Sequence, residues 1–316
     1  MKKWSLIAVA LVIVGAVVCL ASAANMQFDF GKLDSGNYET NTYAVDERFR
    51  SISVDATAEK VSFLPAKDGK CTVVCLEEEH EKHEVGVIDE TLTIKRIDKR
   101  DPGFHFGLVS RSPEITVYLP ERAYSDLRVG TDTGDVNLPA AFSFDRIAIS
   151  GDTADVSCLA SAKNGIEIAL STGEISLADV TAGSVTLQTT TGGIRAESVI
   201  CEGDLQIRVD TGKVQLRDVR CKTLTSEGST GEITLDHVVA ADTVSITRST
   251  GDVEFRESDA AVILVQTDTG DVTGSLLTEK VFLTETDTGD VEVPKSISGG
   301  RCEIRTDTGD IEIEVR

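Results

Sequence analysis

The chain has 316 residues, a formal net charge of −22 at pH 7, 41% hydrophobic residues and only 5% aromatic residues. So acidic a surface repels nucleic acid and anionic lipid headgroups, which excludes both as partners but leaves cationic groups and metal ions. A core filled by Val, Ile and Leu rather than by aromatic rings is expected to be thin.

Residues 1–24 have the pattern of an export segment. Lys2 and Lys3 precede an uncharged run that extends from Trp4 to Ala24, and the two lysines favour an N-inside orientation. The run is about long enough to span a bilayer as a hydrophobic helix, while the small residues at 21–23 fit a cleavage site. We therefore expect an exported protein. It is anchored in the cell membrane and faces outside if the segment is kept, and it is secreted if the segment is cut.

Residues 25–45 are polar and predict a linker, and residues 46–125 predict a less regular β region. In this region Glu59 stands where the later repeats have glycine, and the apolar residues around it keep the spacing of those repeats: Ile52, Val54, Val61 and Phe63. This spacing indicates degenerate copies of the repeat. The charged run that contains His80 and His83 predicts an exposed hairpin, since its spacing is one residue short of the helical zinc-protease motif.

Residues 126–316 are organised by a short signal, Thr-Gly-(Asp/Glu)-(Val/Ile), that recurs every 19 or 20 residues. A fixed period of this size is typical of stacked repeats. Each copy predicts a strand, a glycine turn, a second strand and a looser corner. We therefore predict an all-β fold, a β-helix-like solenoid of about ten rungs of 19–20 residues, which follows the irregular β region and the N-terminal hydrophobic helix.

The position two residues after each glycine is apolar in every copy, and alternation places it inside. It is occupied by Val136, Val156, Ile175, Ile194, Val214, Ile233, Val253, Val272, Val291 and Ile311. The fold requires these residues to form one interior column. Glycine permits a positive φ at the turn, so Ala154, which replaces glycine in one copy, is expected to be strained.

The repeated hexapeptide Thr-Asp-Thr-Gly-Asp-Val occurs at 131–136, 267–272 and 286–291, and ends in Ile at 306–311. Together with the strand at 114–120 that precedes the repeats, it resembles a bacterial family of unknown function with β-strand repeats, whose members are described as candidate adhesins. The similarity covers residues 46–316. It implies an envelope protein with an N-terminal hydrophobic segment and a β-helix-like body, and it brings no catalytic residues.

In most copies an acidic residue directly follows the glycine or stands two residues before it. In the last three copies both of these positions are aspartate. Stacking is expected to gather these carboxylates along one edge: Asp268, Asp271, Asp287, Asp290, Asp307 and Asp310. Like charges about 5 Å apart repel one another, and calcium would relieve that repulsion. The alternative is a solvated turn in which Asp suits the backbone. No other cofactor is expected.

The chain has seven cysteines. Cys201 and Cys221 each lie nine residues after a glycine, so they are expected to be neighbours on consecutive rungs, at a separation that a disulfide accepts. A reduced pair at a half-buried corner is the alternative. Cys158 and Cys302 take positions that are aliphatic in other copies, which indicates small core residues.

The sequence has no nucleophile motif, phosphate loop or triad arrangement, so we predict that the protein is not an enzyme. The leading function is an extracytoplasmic, adhesin-like or envelope-associated module for binding, structure or envelope-stress sensing, with an envelope protein or a glycan as partner. The alternative is a calcium-stabilised, carbohydrate-active solenoid of the lyase type. The C-terminal rung is expected to be an open edge guarded by Glu312, Glu314 and Arg316, and a homodimer through that edge is a further hypothesis.

Overall fold

A computed structural model describes residues 38–78, 81–98 and 113–316. Within these ranges every regular element is a strand, so the fold is all-β. The strands are β1 (Tyr38–Val45), β2 (Ser51–Asp55), β3 (Lys60–Pro65), β4 (Cys71–Glu78), β5 (Glu81–Ile88), β6 (Thr91–Asp98), β7 (Glu114–Leu119), β8 (Ala123–Thr131), β9 (Val136–Leu138), β10 (Ser143–Thr153), β11 (Val156–Cys158), β12 (Ser161–Thr172), β13 (Ile175–Ala178), β14 (Thr181–Ala182), β15 (Val185–Thr191), β16 (Ile194–Cys201), β17 (Asp204–Thr211), β18 (Val214–Thr230), β19 (Ile233–Asp236), β20 (Val239–Thr250), β21 (Val253–Thr269), β22 (Val272–Leu276), β23 (Lys280–Thr288), β24 (Val291–Glu292), β25 (Gly300–Thr308) and β26 (Ile311–Val315).

Most strands form two parallel ladders that face each other across the core, and a third, shorter set of parallel pairings, which includes β14, runs along the second corner. The pre-glycine ladder stacks the strands that enter each turn, in the order β6, β2, β8, β10, β12, β15, β17, β18, β20, β21, β25 and β23. The post-glycine ladder stacks the strands that leave each turn, in the order β7, β3, β9, β11, β13, β16, β18, β19, β21, β22, β26 and β24. The long strands β18 and β21 bend round a corner and join both ladders. The result is a β-solenoid of about ten turns.

The interior column expected from the sequence is confirmed at nine of its ten positions, whereas Val291 pairs in register with Ile311 but is 46% exposed. Val136 pairs with Val156, Val156 with Ile175, and the register continues rung by rung to Val272 and Ile311. Val136, Ile175, Val214 and Val253 are 0–1% exposed. Burial of each such side chain is worth about 1.5–3 kcal/mol relative to exposure, so the column contributes to the stability of the stack together with the other inward positions.

The N-terminal end of the stack is closed by antiparallel strands. Strand β5 pairs with β6 on the pre-glycine ladder. Strand β4 pairs with β7 on the post-glycine ladder, and β1 pairs with β4. Under this cap, β2 and β3 form a rung that stacks in register on the first repeat, with Val54 beside Val129 and Val61 beside Val136.

The C-terminal end differs from the prediction. Strands β25 and β26 do not form the edge, because each lies between two neighbours: β25 between β21 and β23, and β26 between β22 and β24. The open edge is instead the rung of β23 and β24, where Leu283 and Val291 are 51% and 46% exposed. Since Ile311 and Ile313 are 0% and 3% exposed, the more apolar rung takes the covered place. Glu312, Glu314 and Arg316 therefore guard no edge.

The glycine at the turn is required by contact as well as by conformation. Gly231 has φ 134°, and a Cβ there would lie 1.9 Å from the carbonyl oxygen of Gly212 on the neighbouring rung. The same close approach recurs at the other turns of the regular repeats. Ala154 is not the strained exception that the sequence predicts, because it is not among the residues with positive φ. Its methyl group is buried at 4% exposure.

The second corner of the rung has a conformational signal that the sequence analysis missed. Five non-glycine residues, each six positions after a turn glycine, have φ between 45° and 55°: Asp179, Ser198, Asp218, His237 and Glu257. Polar residues that tolerate the left-handed region are typical of such corners. A buried residue follows each of them, four times a valine, as at Val180 and Val199.

The predicted export segment, residues 1–24, and most of the predicted linker, residues 25–45, lie outside the described residues. None of the residues that the structure describes belongs to a helix that is long and apolar enough to cross a bilayer.

Replacement of Gly231 by Ala is expected to destabilise the protein by at least about 2 kcal/mol, because the methyl group meets a backbone carbonyl and the backbone is left-handed. Urea unfolding followed by circular dichroism measures the loss. Gly130→Ala is the matched control. Its Cβ would meet only Ser150 Oγ at 3.9 Å, so a change within about 0.5 kcal/mol is expected. Equal destabilisation by both variants would contradict the role assigned to the turn glycine.

Candidate functional site

The outer face of the post-glycine ladder carries a groove of about 420 Å³. It crosses the rungs of β16, β18, β19, β21 and β22. Three acidic residues that directly follow a turn glycine line it: Glu232, Asp252 and Asp271. Outward positions three and five residues after the turn glycine also line it, and their side chains are charged or polar: Arg195, Glu197, Gln215, Arg217, Thr234, Asp236, Glu254, Arg256 and Thr273. Because the rungs stack in register, these residues form two straight columns along the stacking direction.

Several charged side chains of the groove form ion pairs between rungs, while Arg256 pairs with Glu254 on its own strand. Arg217 lies 3.7 Å from a carboxylate oxygen of Glu197 on one neighbouring rung and 3.4 Å from one of Asp236 on the other. Arg195 reaches Glu174 at 3.1 Å in the same way. Each exposed pair contributes at most about 1 kcal/mol to stability. The two pairs of Arg217 place its guanidinium group between carboxylates of both neighbouring rungs.

The corner beside the groove adds a histidine. His237 Nδ1 is 2.8 Å from Asp236 Oδ1, and its Nε2 is 3.2 Å from Glu257 Oε2. The hydrogen bond with Asp236 raises the pKa of His237, so the row gains positive charge as the pH falls. The sequence analysis did not single out these residues. Their alternation of charge from rung to rung (Glu197, Arg217, Asp236, Arg256) is the signal that could have found them.

The acidic edge stacks as the sequence predicts, but in a different order along the stack. Because the rung of β25 and β26 lies between its two neighbours, Asp310 lies between Asp271 and Asp290. All six predicted calcium ligands are exposed. Within this column of aspartates, the carboxylates accept hydrogen bonds from backbone N–H groups of a neighbouring rung. Asp271 Oδ1 accepts the backbone N–H of Asp310 at 2.8 Å, and Asp310 Oδ1 accepts that of Asp290 at 2.8 Å.

The same bond links other rungs, for example Asp155 N–H to Asp135 Oδ1 at 2.9 Å. We call this file the aspartate ladder: Asp135, Asp155, Asp252, Asp271, Asp310 and Asp290. The short aspartate side chain reaches the next turn and satisfies a backbone donor there. This gives a structural reason for Asp at these positions. Calcium binding stays a prediction.

The cysteines lie where the repeat places them. Cys201 and Cys221 occupy the same position on consecutive rungs, one residue beyond the paired Ile200 and Arg220. Both thiols are free and buried, and burial raises the pKa of Cys221 to about 12. A disulfide between them stays a prediction. Cys158 and Cys302 are fully buried in the core, in agreement with the sequence analysis.

The prediction of an exposed hairpin at His83 is wrong. His83 is only 4% exposed, because its strand β5 turns this side chain toward the inside of the cap. Burial would lower its pKa, but Cys75, Glu59 and Glu77 outweigh burial and raise the pKa to about 10. His80 and His105 lie outside the described residues.

Replacement of Asp271 by Ala is expected to cost about 1 kcal/mol, because the Asp310 N–H loses its acceptor. Asp271→Asn keeps an oxygen in the same place and is expected to retain most of that stability. Thermal melting of the two variants beside the wild type measures the difference. Equal losses in Ala and Asn would show that charge, rather than the hydrogen bond, is what the position requires.

Comparison with known proteins places this architecture in a family. The model of the Toastrack family, DUF4097, matches residues 49–314. A candidate adhesin from Bacteroides fragilis shares 15% identity over 89% of this chain and 98% of its own, with a TM-score of 0.42. A candidate lipid-binding protein from Parabacteroides distasonis shares 16% identity over 76% of this chain and 95% of its own, with a TM-score of 0.49.

A candidate cell adhesion protein from Clostridium sporogenes shares 11% identity over 89% of this chain and 100% of its own, with a TM-score of 0.29. No curated protein matches the sequence. The resemblance seen in the repeated hexapeptide is thus confirmed. Since the family model spans most of the chain, the protein belongs to the Toastrack DUF4097 family.

Proposed function

We propose that this protein is a non-catalytic binding module of the cell envelope, acts outside the cytoplasmic membrane and uses the groove of the post-glycine ladder as its contact surface. The pattern of residues 1–24 supports the location. The candidate adhesins among the similar structures are compatible with this role, and the geometry of the groove carries it.

The carrying observation is the row of charged and polar side chains that recurs at one level per rung, with Arg217 paired to carboxylates on both neighbouring rungs. Rungs are spaced by about 4.8 Å, so donors and acceptors repeat along the groove at that interval. A ligand that matches such a row is itself a polymer with regularly repeated polar groups. Guanidinium, amide and carboxylate groups together suit hydroxyl and acetamido groups, whereas the net charge of −22 disfavours a polyanion. The partner proposed is therefore a neutral or amino-sugar glycan of the envelope.

The second candidate function is a calcium-stabilised, carbohydrate-active solenoid. The observation that favours it is the exposed acidic edge, on which the predicted calcium ligands Asp271, Asp310 and Asp290 lie on consecutive rungs. Oxygen ligands from exposed carboxylates are those that calcium takes. The aspartate ladder opposes it, because one oxygen of Asp271 and one of Asp310 are already used by backbone N–H groups.

Arg217→Ala is expected to weaken binding of a neutral envelope polysaccharide about tenfold, since it removes the central guanidinium of the groove. Isothermal titration calorimetry with soluble glycan fragments measures this loss. Arg208→Ala is the matched control, because Arg208 is 55% exposed and paired with Glu227 on the opposite face. Its affinity is expected to match the wild type. Equal weakening in both variants, or no glycan binding by the wild type, would refute the groove as the contact surface.

Calcium titration followed by thermal melting tests the second candidate. Binding along the acidic edge predicts a rise in melting temperature that Asp271→Asn and Asp310→Asn together remove. An unchanged melting temperature in the wild type removes the calcium hypothesis. Release of unsaturated sugars from an acidic glycan would overturn the non-catalytic assignment.

A further inference from the structure

The N-terminal cap encloses a set of polar side chains that we call the cap cluster: Glu59, Cys75, Glu77 and His83. Cys75 and Glu77 lie two residues apart on β4 and point to the same side, and His83 faces them from β5. Cys75, Glu77 and His83 are 0%, 1% and 4% exposed, and their ligand atoms all lie within 4.8 Å of one another. A thiol, a carboxylate and an imidazole thus converge in a closed space.

Glu77 is held in place by donors from three directions. Its Oε1 accepts hydrogen bonds from Asn41 Nδ2 at 2.6 Å and Tyr43 OH at 3.3 Å, both on β1. Its Oε2 accepts the backbone N–H of His83 at 2.8 Å and lies 2.6 Å from His83 Nδ1. On β4 the inward positions before it are apolar: Cys71, Val73 and Cys75. A carboxylate that ends such a row is costly to bury and is kept only where its geometry is fixed.

The other ring nitrogen of His83 faces Glu59. Nε2 lies 3.4 Å from Glu59 Oε1 and has no hydrogen-bond partner. Glu59 itself is 2% exposed, and its Oε2 accepts the backbone N–H groups of Thr57 at 2.6 Å and Ala58 at 3.0 Å. A carboxylate on the far side of an imidazole is the arrangement that orients a histidine ligand toward a metal ion.

The cap cluster also lies between two strands that the contacts of Glu77 with His83 join. Strand β4 pairs with β1 and β7, and β5 pairs with β6. Among the described residues no ladder joins β4 to β5, although the two strands close the two faces of the same end. A ligand shared by Cys75 and Glu77 on one strand and His83 on the other would tie the two ladders together.

We propose that the cap cluster binds a zinc ion through Cys75 Sγ, Glu77 and His83 Nδ1, with Glu59 orienting the imidazole from its Nε2 side. One sulfur, one nitrogen and one oxygen ligand suit zinc and exclude calcium and magnesium, which take oxygen ligands. Zinc takes four ligands, so one position is left for a water molecule. The ion closes the N-terminal end of the solenoid, a role that is independent of glycan binding in the groove.

The test uses the full chain after treatment with a chelator, titrated with Co²⁺ as a spectroscopic probe and then with Zn²⁺. One equivalent of Co²⁺ is expected to produce the near-ultraviolet thiolate-to-cobalt charge-transfer band, and Zn²⁺ is expected to displace it. Cys75→Ser is expected to abolish that band. Cys71→Ser is the matched control, because Cys71 lies on the same strand at 4% exposure and is expected to keep it.

A charge-transfer band that is absent in the wild type, or that survives in Cys75→Ser, overturns the proposal. So does loss of the band in both serine variants while circular dichroism shows them folded. If Cys75→Ser does not fold, Glu59→Gln decides. It removes the orienting carboxylate and keeps every ligand, so Zn²⁺ affinity is expected to fall 10–100-fold with the band retained. Unchanged affinity in Glu59→Gln overturns the proposal.

Discussion

The close approach of consecutive glycine turns is the constraint on which the structure depends. At Gly270 the position of a Cβ would be 2.2 Å from the carbonyl oxygen of Gly251, and at Gly309 it would be 2.1 Å from that of Gly270. At these positive-φ turns a side chain would collide with the neighbouring backbone, so glycine lets the backbones stack at strand spacing through the corner. Stacking at that spacing brings the aliphatic column of Val214 and Ile233 into contact. It also sets the reach of the aspartate ladder, whose short carboxylates span a single step.

Much of the fold follows from the sequence because a repeat states the same rule many times. The period locates the turns, and alternation around them locates the interior column, so the places of Val136 and Val253 follow from the sequence alone. Departures from the rule are where sequence reasoning fails. Arg248 is 3% exposed in a core position. A Cβ at Gly228 would lie only 2.8 Å from Nη1 of Arg248. The absence of a side chain at Gly228 therefore leaves space for the Arg248 side chain of the next rung. No periodic pattern predicts such a compensation.

The cap and the groove show the two other limits of sequence reasoning. His83 and Glu59 are distant in sequence and meet only because β5 and the first turn close the same end, a contact that local spacing does not encode. The groove was missed for the opposite reason. Its residues follow the repeat, but the period predicts the apolar inside of the solenoid and the glycine edge, whereas Arg217 and Asp236 lie at outward positions whose residue type varies from rung to rung. The glycine edge itself was found, but the hydrogen bond that explains its aspartates depends on the exact separation of consecutive turns.

Strands β25 and β26 lie between strands that precede them in the sequence. This has a consequence for which rung ends the solenoid. The hexapeptides at 267–272, 286–291 and 306–311 are nearly the same, so β23 could dock directly on β21 and leave the later rung outermost. The two arrangements would expose different sets of side chains to solvent. Cys302 and Ile304 are fully buried in the observed arrangement, while the matching Phe282 and Thr284 are not. The outermost rung of the solenoid is thus not the last one in the chain, and the order of the repeats in the sequence is not their order in the stack.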